Sequence, residues 1–135
     1  GGEKFTQRRG RLPWPTQGQM VHRFGSARIA GQMNWSGAFI SAPANNPVIA
    51  VHHGRVVFAD YFGSHGLLVI VDHGEGYMSL YAHNQRLLKK AGDPVQAGEN
   101  VATVGNSGGQ TQYGLYFEIR QQGKPIDPAQ WLARS

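Results

Sequence analysis

Apolar and polar residues alternate along two segments of the chain, which is typical of β-strands that bury one face. In residues 77–83 the predicted core face holds Met78, Leu80 and Ala82, and the opposite face holds Tyr77, Ser79, Tyr81 and His83. In residues 114–120 the predicted core face holds Leu115, Phe117 and Ile119, and the opposite face holds Gly114, Tyr116, Glu118 and Arg120. If the two strands share a sheet, its non-core face is either a binding floor or an ordinary polar outer surface.

Most of the other apolar segments are also strand-sized and are bounded by glycine or proline. Strands are predicted at residues 19–24, 34–41, 48–51, 55–61, 67–72 and 101–104. Two hairpins are expected, one through residues 52–54 with a positive φ at Gly54 and one through residues 73–76. A helical turn is predicted at residues 85–91, and a short helical segment at residues 127–132. The pattern therefore predicts a mainly β fold.

Length and composition favour one small domain. The chain has 135 residues, and its 19 glycines and seven prolines suit short strands joined by tight turns. We expect residues 1–12 to form a linker or leader segment and residues 13–135 to form the domain. No apolar run approaches the ~20 residues of a membrane-spanning helix, and no secretory signal pattern is recognised. The chain has no cysteine, which excludes disulfides and thiolate metal ligands.

The net charge of +5 is concentrated near the start of the chain. Residues 1–11 contain four basic residues and one acidic residue, whereas residues 12–135 contain nine basic and seven acidic residues. A nucleic-acid-binding domain normally presents a basic face with interleaved aromatic residues. We therefore expect no nucleic-acid partner and interpret the basic segment as a solvated chain end.

Six histidines raise the question of a metal site, but their spacing matches no common zinc-ligand pattern. His52 and His53 are adjacent, so they would point to opposite faces of a strand or splay apart in a turn. His65, His73 and His83 lie in or beside different predicted turns. Two interpretations stay open: the fold could bring these histidines together as a metal site, or they could be ordinary residues of surface turns. The chain has no serine-nucleophile elbow and no phosphate-binding loop.

Several longer segments form a more specific pattern. They are residues 47–57 (PVIAVHHGRVV), 66–76 (GLLVIVDHGEG), 80–83 (LYAH), 91–98 (AGDPVQAG), 104–108 (VGNSG) and 115–120 (LYFEIR), followed by Pro128, Trp131 and Leu132. Together they resemble the LytM domain, the lysostaphin-type zinc peptidase domain, from about residue 12 to residue 132. The resemblance implies a small antiparallel β-sheet with a peptide groove across the sheet.

The metal ligands of that family are missing from this sequence. Active LytM domains bind zinc through a His-x-x-x-Asp motif and the second histidine of a later His-x-His motif. The first motif falls on Trp35 and Phe39, and the second falls on Gly114 and Tyr116. Of the two histidines that assist catalysis in the family, only His83 is present. The resemblance therefore implies no zinc cofactor, no catalytic residues and no peptidase activity.

Residues 11–15, 77–81 and 115–120 are similar in particular to the degenerate LytM domains of EnvC-like septation proteins. Such proteins are murein hydrolase activators that switch on N-acetylmuramoyl-L-alanine amidases at the septum, in the periplasm of Gram-negative bacteria. The resemblance implies the same location, and a regulatory helix of the amidase as the partner. It also implies an upstream coiled coil and a restraining helix linked to a division transporter-type complex.

We therefore predict a partner-binding groove lined by aromatic residues, which suits an amphipathic helix with large apolar anchors. The predicted contact residues are Ser36, Phe39, His65, Leu68, Tyr81, His83, Tyr116 and Arg120. For Phe39 and Leu68, core packing is an equal alternative. Two other functions stay open. One is a module that binds peptidoglycan directly, and the other is a residual metallopeptidase with ligands drawn from His52, His53, His65 and His83.

Overall fold

The computed structural model describes residues 2–29, 31 and 33–134, and these residues form a mainly antiparallel β fold. Their strands are β1 (Gln19–His22), β2 (Ala27–Ile29), β3 (Met33–Asn34), β4 (Ala38–Ser41), β5 (Pro47–Ile49), β6 (Gly54–Tyr61), β7 (Leu67–Gly74), β8 (Tyr77–Leu87), β9 (Pro94–Val95), β10 (Asn100–Val104), β11 (Gly114–Gln121) and β12 (Lys124–Ile126). Short 3₁₀ helices span Phe5–Arg8, Gly63–His65 and Pro128–Gln130. Residue 1 of the predicted linker and residue 135 of the predicted domain lie outside the described residues. Within the described part, no helix is long and apolar enough to cross a membrane.

Ten strands form one sheet, and its main path runs β1-β4-β11-β8-β7-β6-β9. Strand β10 pairs with β8 and β5, β12 pairs with β11, and β2 and β3 form a separate two-stranded sheet. In the central pair, Phe117 lies opposite Tyr81, and Tyr116 lies opposite Ala82. Directly opposite residues of an antiparallel pair share a face of the sheet, so this register decides which side chains meet.

The main core covers one face of the sheet. It is built from aliphatic and aromatic residues at alternate positions of the central strands, together with residues of β5 and β10, including Val48, Val69, Val71, Tyr81, Val101, Leu115, Phe117 and Ile119. Alternate positions of a strand point to the same face, which explains why the apolar residues of β7 and β11 converge here. The prediction of a small antiparallel β fold is confirmed.

The start of the chain belongs to this core, which corrects the prediction that residues 1–12 form a linker. Phe5 is only 1% exposed, and its ring centroid lies 4.8 Å from those of His73 and Trp131 and 5.0 Å from that of Tyr77. The segment is polar and basic apart from very few apolar residues, so its composition suggested a solvated chain. The segment is nevertheless docked, because Phe5 and the fully buried Leu12 both pack in the main core.

Some of the local predictions are confirmed and others are wrong. Strands β7 and β8 form the expected hairpin through residues 73–76, and the last 3₁₀ helix is followed by the buried Trp131. The segments beside residues 52–54 do not pair with each other, because β5 pairs with β10 and β6 pairs with β7 and β9. Gly54 is needed for close packing instead, since an added Cβ would lie 2.3 Å from a carbonyl oxygen of β7. Residues 85–87 extend β8 against β10 rather than forming a helical turn.

Candidate functional site

The face of the sheet opposite the main core carries a second apolar cluster, which we call the aromatic face. Its residues are Trp35, Phe39, Phe58, Leu68, Ile70, Leu80, Ala82 and Tyr116. Apart from Trp35, which lies in the turn before β4, they come from five neighbouring strands in the order β4-β11-β8-β7-β6. Because neighbouring strands lie about 4.8 Å apart, this cluster spans about 19 Å across the sheet.

Trp35 is the centre of an aromatic group at the β4 end of this face. Its ring centroid lies 6.5 Å from that of Phe39 and 6.1 Å from that of Tyr116, and it stacks on His22 at 4.6 Å. The Arg28 guanidinium carbon lies 4.2 Å from the centroid of the Trp35 ring, which is a cation–π distance. Trp35 is only partly buried and Arg28 is exposed, so this end of the face presents an indole and a positive charge at the surface.

A buried carboxylate lies beside Tyr116 on the same strand. Glu118 is 3% exposed, and its two oxygens accept hydrogen bonds from the Tyr116 hydroxyl and, at 2.7 Å, from Arg120 Nε. Desolvation and the neighbouring Glu118 raise the pKa of Tyr116 far above its ordinary value, so the phenol keeps its proton. The backbone at Gly37 closes over this group, because an added Cβ there would lie 2.8 Å from Glu118 Cγ.

Two histidines border Tyr116 along the same face. The ring centroids of His83 and His65 lie 6.2 and 6.3 Å from that of Tyr116. Burial lowers the pKa of His83, so its imidazole is neutral at neutral pH and donates from Nδ1 to the Ser107 carbonyl oxygen at 2.9 Å. His83 has φ 68° at an irregularity in the pairing of β8 with β7. This bulge shifts the alternation by one residue and turns His83 toward Tyr116.

The structure brings most of the predicted contact residues together. Around or within the aromatic face lie Phe39, His65, Leu68, His83, Tyr116 and Arg120, and Ser36 is exposed in the turn after Trp35. A separate cavity of about 750 Å³ lies between residues 13–18 and β5, and none of the predicted contact residues lines it.

The predicted position of Tyr81 on the same face as Tyr116 is wrong. Tyr81 is fully buried in the main core, where its hydroxyl accepts a hydrogen bond from the Val51 backbone N–H at 3.1 Å and lies 2.8 Å from Ser79 Oγ. Alternation separates the residues of β8 into two sets but does not say which set faces the core. Here the aliphatic set, which includes Leu80, lies on the aromatic face, because both faces of the sheet are apolar at this point.

A model of peptidase family M23 matches residues 33–128, and the chain belongs to this family. The murein hydrolase activator EnvC of Escherichia coli strain K12 is 45% identical over 126 residues, which cover 93% of this chain and 30% of that protein. The murein hydrolase activator NlpD of the same strain is 35% identical over 120 residues, which cover 88% of this chain and 30% of that protein. The chain thus spans about a third of the length of these relatives.

A solved structure agrees with the fold. The catalytic domain of the antimicrobial peptidase lysostaphin from Staphylococcus simulans superposes with a TM-score of 0.70 at 23% identity. The alignment covers 84% of this chain and 89% of that domain. The predicted lysostaphin-type fold is confirmed.

The residues at the expected ligand positions do not fit the zinc ion that active LytM domains bind. Trp35, Phe39 and Tyr116 converge, as ligand positions should, but indole and phenyl rings offer no ligand atom and the Tyr116 hydroxyl is donated to Glu118. In residues 2–29, 31 and 33–134, no three His, Cys, Asp or Glu side chains are grouped so as to hold a metal. The arrangement suits apolar contact rather than metal ligation.

Sequence reasoning missed part of this face. Trp35 belongs to the aromatic face but is not among the predicted contact residues, and Glu118 is predicted on the non-core face without a role. The period of two along β11 was the signal that linked Glu118 to Tyr116. His22 and Arg28 reach Trp35 from other strands, and no local pattern indicated either of them.

Proposed function

We propose that this domain is a non-catalytic activator of N-acetylmuramoyl-L-alanine amidases and that it acts in the periplasm during cell division. The observation that carries the proposal is that the three expected zinc-ligand positions converge in space yet hold Trp35, Phe39 and Tyr116. A site that keeps its geometry but replaces ligands with aromatic residues is suited to binding. The similarity to proteins named murein hydrolase activators supports the same conclusion.

The proposed occupant of the aromatic face is a regulatory helix of the amidase. The face spans about 19 Å across five strands, which corresponds to about 13 residues of an α-helix at about 1.5 Å per residue. Large, partly exposed aromatic groups such as Trp35 are common anchors at interfaces. Capture of that helix would remove it from the amidase active site, and this is how binding would become activation.

A further part of the proposal concerns longer proteins that contain a domain of this type. In such proteins we propose an upstream coiled coil and a restraining helix linked to a division transporter-type complex. The aromatic face would then be accessible only when that complex releases the restraint. This part of the proposal follows from the resemblance to EnvC-like proteins and not from the described residues.

The proposal is tested by dye release from dye-labelled sacculi with a septal amidase, this domain, or both together. We expect stimulation in the mixture and no release by the domain alone. Trp35→Ala and Arg120→Glu should each abolish most of the stimulation, since loss of an interface anchor weakens binding by about thirtyfold or more. Tyr61→Ala and Lys124→Glu are matched controls, because these exposed residues lie on the opposite face of the sheet.

Two results would contradict the proposal in different ways. Absence of stimulation by the folded wild-type domain, combined with retention on sacculi that Trp35→Ala abolishes, would indicate a peptidoglycan-binding module. Dye release by the domain alone that a chelator stops would indicate a residual metallopeptidase. Metal analysis after dialysis separates the latter from contamination by the amidase.

A further inference from the structure

We propose that Glu118 is the positioning residue of the aromatic face. Its carboxylate fixes the Tyr116 ring and the Arg120 guanidinium in the orientation that a partner meets. Glu118 is 3% exposed, so it acts through these two neighbours rather than by direct contact. The identity of the partner rests on the proposed function, whereas the positioning itself is a property of the isolated domain.

The first neighbour shows what the carboxylate does to the surface. The Tyr116 hydroxyl donates its proton to one oxygen of Glu118. This bond directs the hydroxyl into the fold, so the small exposed part of Tyr116 presents its aromatic ring and not a hydroxyl. Tyr116 is itself 5% exposed, and it packs between Trp35 and the two histidines, His65 and His83.

The second neighbour gives the face a directed positive charge. Arg120 Nε donates to the other oxygen of Glu118 at 2.7 Å. Among the described residues, this bond is what holds the Arg120 side chain. The Arg120 side chain is 35% exposed, against 3% for Glu118. A guanidinium held through Nε keeps its two Nη groups available as a fork, which is the geometry that recognises a carboxylate. Arg120 would therefore meet an acidic side chain of the helix.

The surroundings of Glu118 keep this arrangement rigid. The backbone at Gly37 lies so close that an added Cβ would be 2.4 Å from the Phe117 carbonyl oxygen and 3.0 Å from the Tyr116 hydroxyl. Glu118 is 3% exposed, so little water reaches its carboxylate, and in a water-poor site hydrogen bonds to a charged group are strong. With both oxygens engaged, rotation of Glu118 would break two bonds at once.

The test for the isolated domain is nuclear magnetic resonance of the Arg120 Nε–H group at neutral pH. In the wild type we expect a resolved resonance in slow exchange with water. Glu118→Ala should lose it, whereas Glu118→Gln should retain it, because the amide oxygen still accepts from Nε–H. Glu99→Gln is the matched control, since Glu99 forms an ion pair with Lys89 outside the aromatic face.

A double-mutant cycle separates positioning from general stability. Affinity for the amidase is measured for Glu118→Ala, Arg120→Ala and the double variant, with Glu118→Gln as the near-isosteric variant if Glu118→Ala does not fold. Glu118→Ala should weaken binding about tenfold, and its further effect in the Arg120→Ala background should be at most about twofold. Glu118→Gln should restore most of the affinity.

The outcomes distinguish this inference from the proposed function. If the Arg120 Nε–H resonance exchanges equally fast in the wild type and in Glu118→Ala, the positioning role is wrong. Equal losses of affinity from Glu118→Ala in the presence and absence of Arg120 would also overturn it. If the wild-type domain binds no amidase but the resonance behaves as expected, the positioning stands and the proposed partner is wrong.

Discussion

His73 provides a prediction that needs no partner protein. This residue is 8% exposed, its ring stacks on Phe5 of the main core, and it belongs to a row of buried polar groups. Its Nδ1 donates to the His53 carbonyl oxygen at 2.9 Å, and its Nε2 lies 2.7 Å from the Ser79 hydroxyl, which lies 2.8 Å from the Tyr81 hydroxyl. Because the His53 carbonyl oxygen can only accept, the neutral imidazole carries its proton on Nδ1, which leaves Nε2 as an acceptor beside the Ser79 hydroxyl. A cationic imidazole would add a second N–H and a charge to this desolvated site.

The magnitude follows from proton linkage. Desolvation lowers the pKa of His73 from 6.5 to about 4 in the fold. The unfolded chain therefore binds a proton near pH 6.5 that the folded protein does not bind until about pH 4. The contribution of His73 to the free energy of unfolding is complete above the pKa of the unfolded chain, 6.5, and decreases as the pH falls below it. A difference of about 2.5 pKa units corresponds to about 3 kcal/mol in total, of which about 2 kcal/mol is lost between about pH 7 and about pH 5.

The assay is urea denaturation followed by tryptophan fluorescence at pH 7 and pH 5. His73→Gln keeps a donor and an acceptor but removes the titration. Burial also lowers the pKa of His52 and of His83, so both proteins should lose some stability in acid. We expect the wild type to lose about 2 kcal/mol more than His73→Gln between these pH values. His22→Gln, at an exposed position, controls for the loss of one histidine.

Equal losses in the wild type and in His73→Gln would refute the reasoning, because the titration assigned to His73 would then be absent. A wild-type domain that becomes more stable at pH 5 would refute it more strongly. That result would mean that the fold favours the imidazolium, opposite to the effect of desolvation.

Three further predictions follow from the packing. Phe5→Ala should lower the free energy of unfolding by about 3–5 kcal/mol in urea denaturation, since the ring is buried, and a loss below about 1 kcal/mol would contradict its role as an anchor. Tyr81→Phe should cost about 1–3 kcal/mol, because the buried Val51 N–H loses its acceptor, whereas Tyr61→Phe at an exposed position should change thermal stability little. Gly37→Ala should lower Tm by several degrees and speed exchange of the Arg120 Nε–H, and an unchanged Tm would show that the backbone relaxes around the new Cβ.

Much of the fold was predictable because it depends on local patterns. The hairpin between β7 and β8 was recognisable from two apolar segments and a glycine-rich turn, and β11 from its period of two. Pairings between distant segments were not predictable in this way. The failed hairpin beside residues 52–54 shows this, because the partner of β5 is β10, about 50 residues further along the chain.

The candidate site shows the same division. Trp35, Phe39 and Tyr116 were recognisable in the sequence because they lie where the LytM resemblance expects zinc ligands. Their convergence depends on the register of β4 with β11, in which Tyr116 lies opposite Phe39. Arg28 adds its charge to Trp35 from a strand outside the main sheet, and no pattern along the chain could have indicated that contact.

The sequence by itself determined the β-rich class, the family and the aromatic residues at the positions where the LytM resemblance expects zinc ligands, since these are properties of residue type and spacing. Only the tertiary structure decided which face each set of side chains occupies. Strand alternation is symmetric between the two faces of a sheet, and the symmetry is broken by register, by the bulge at His83 and by what covers each side. For this reason Tyr81 lies in the core, whereas Glu118 lies buried beneath the aromatic face with Tyr116 and Arg120 as its partners.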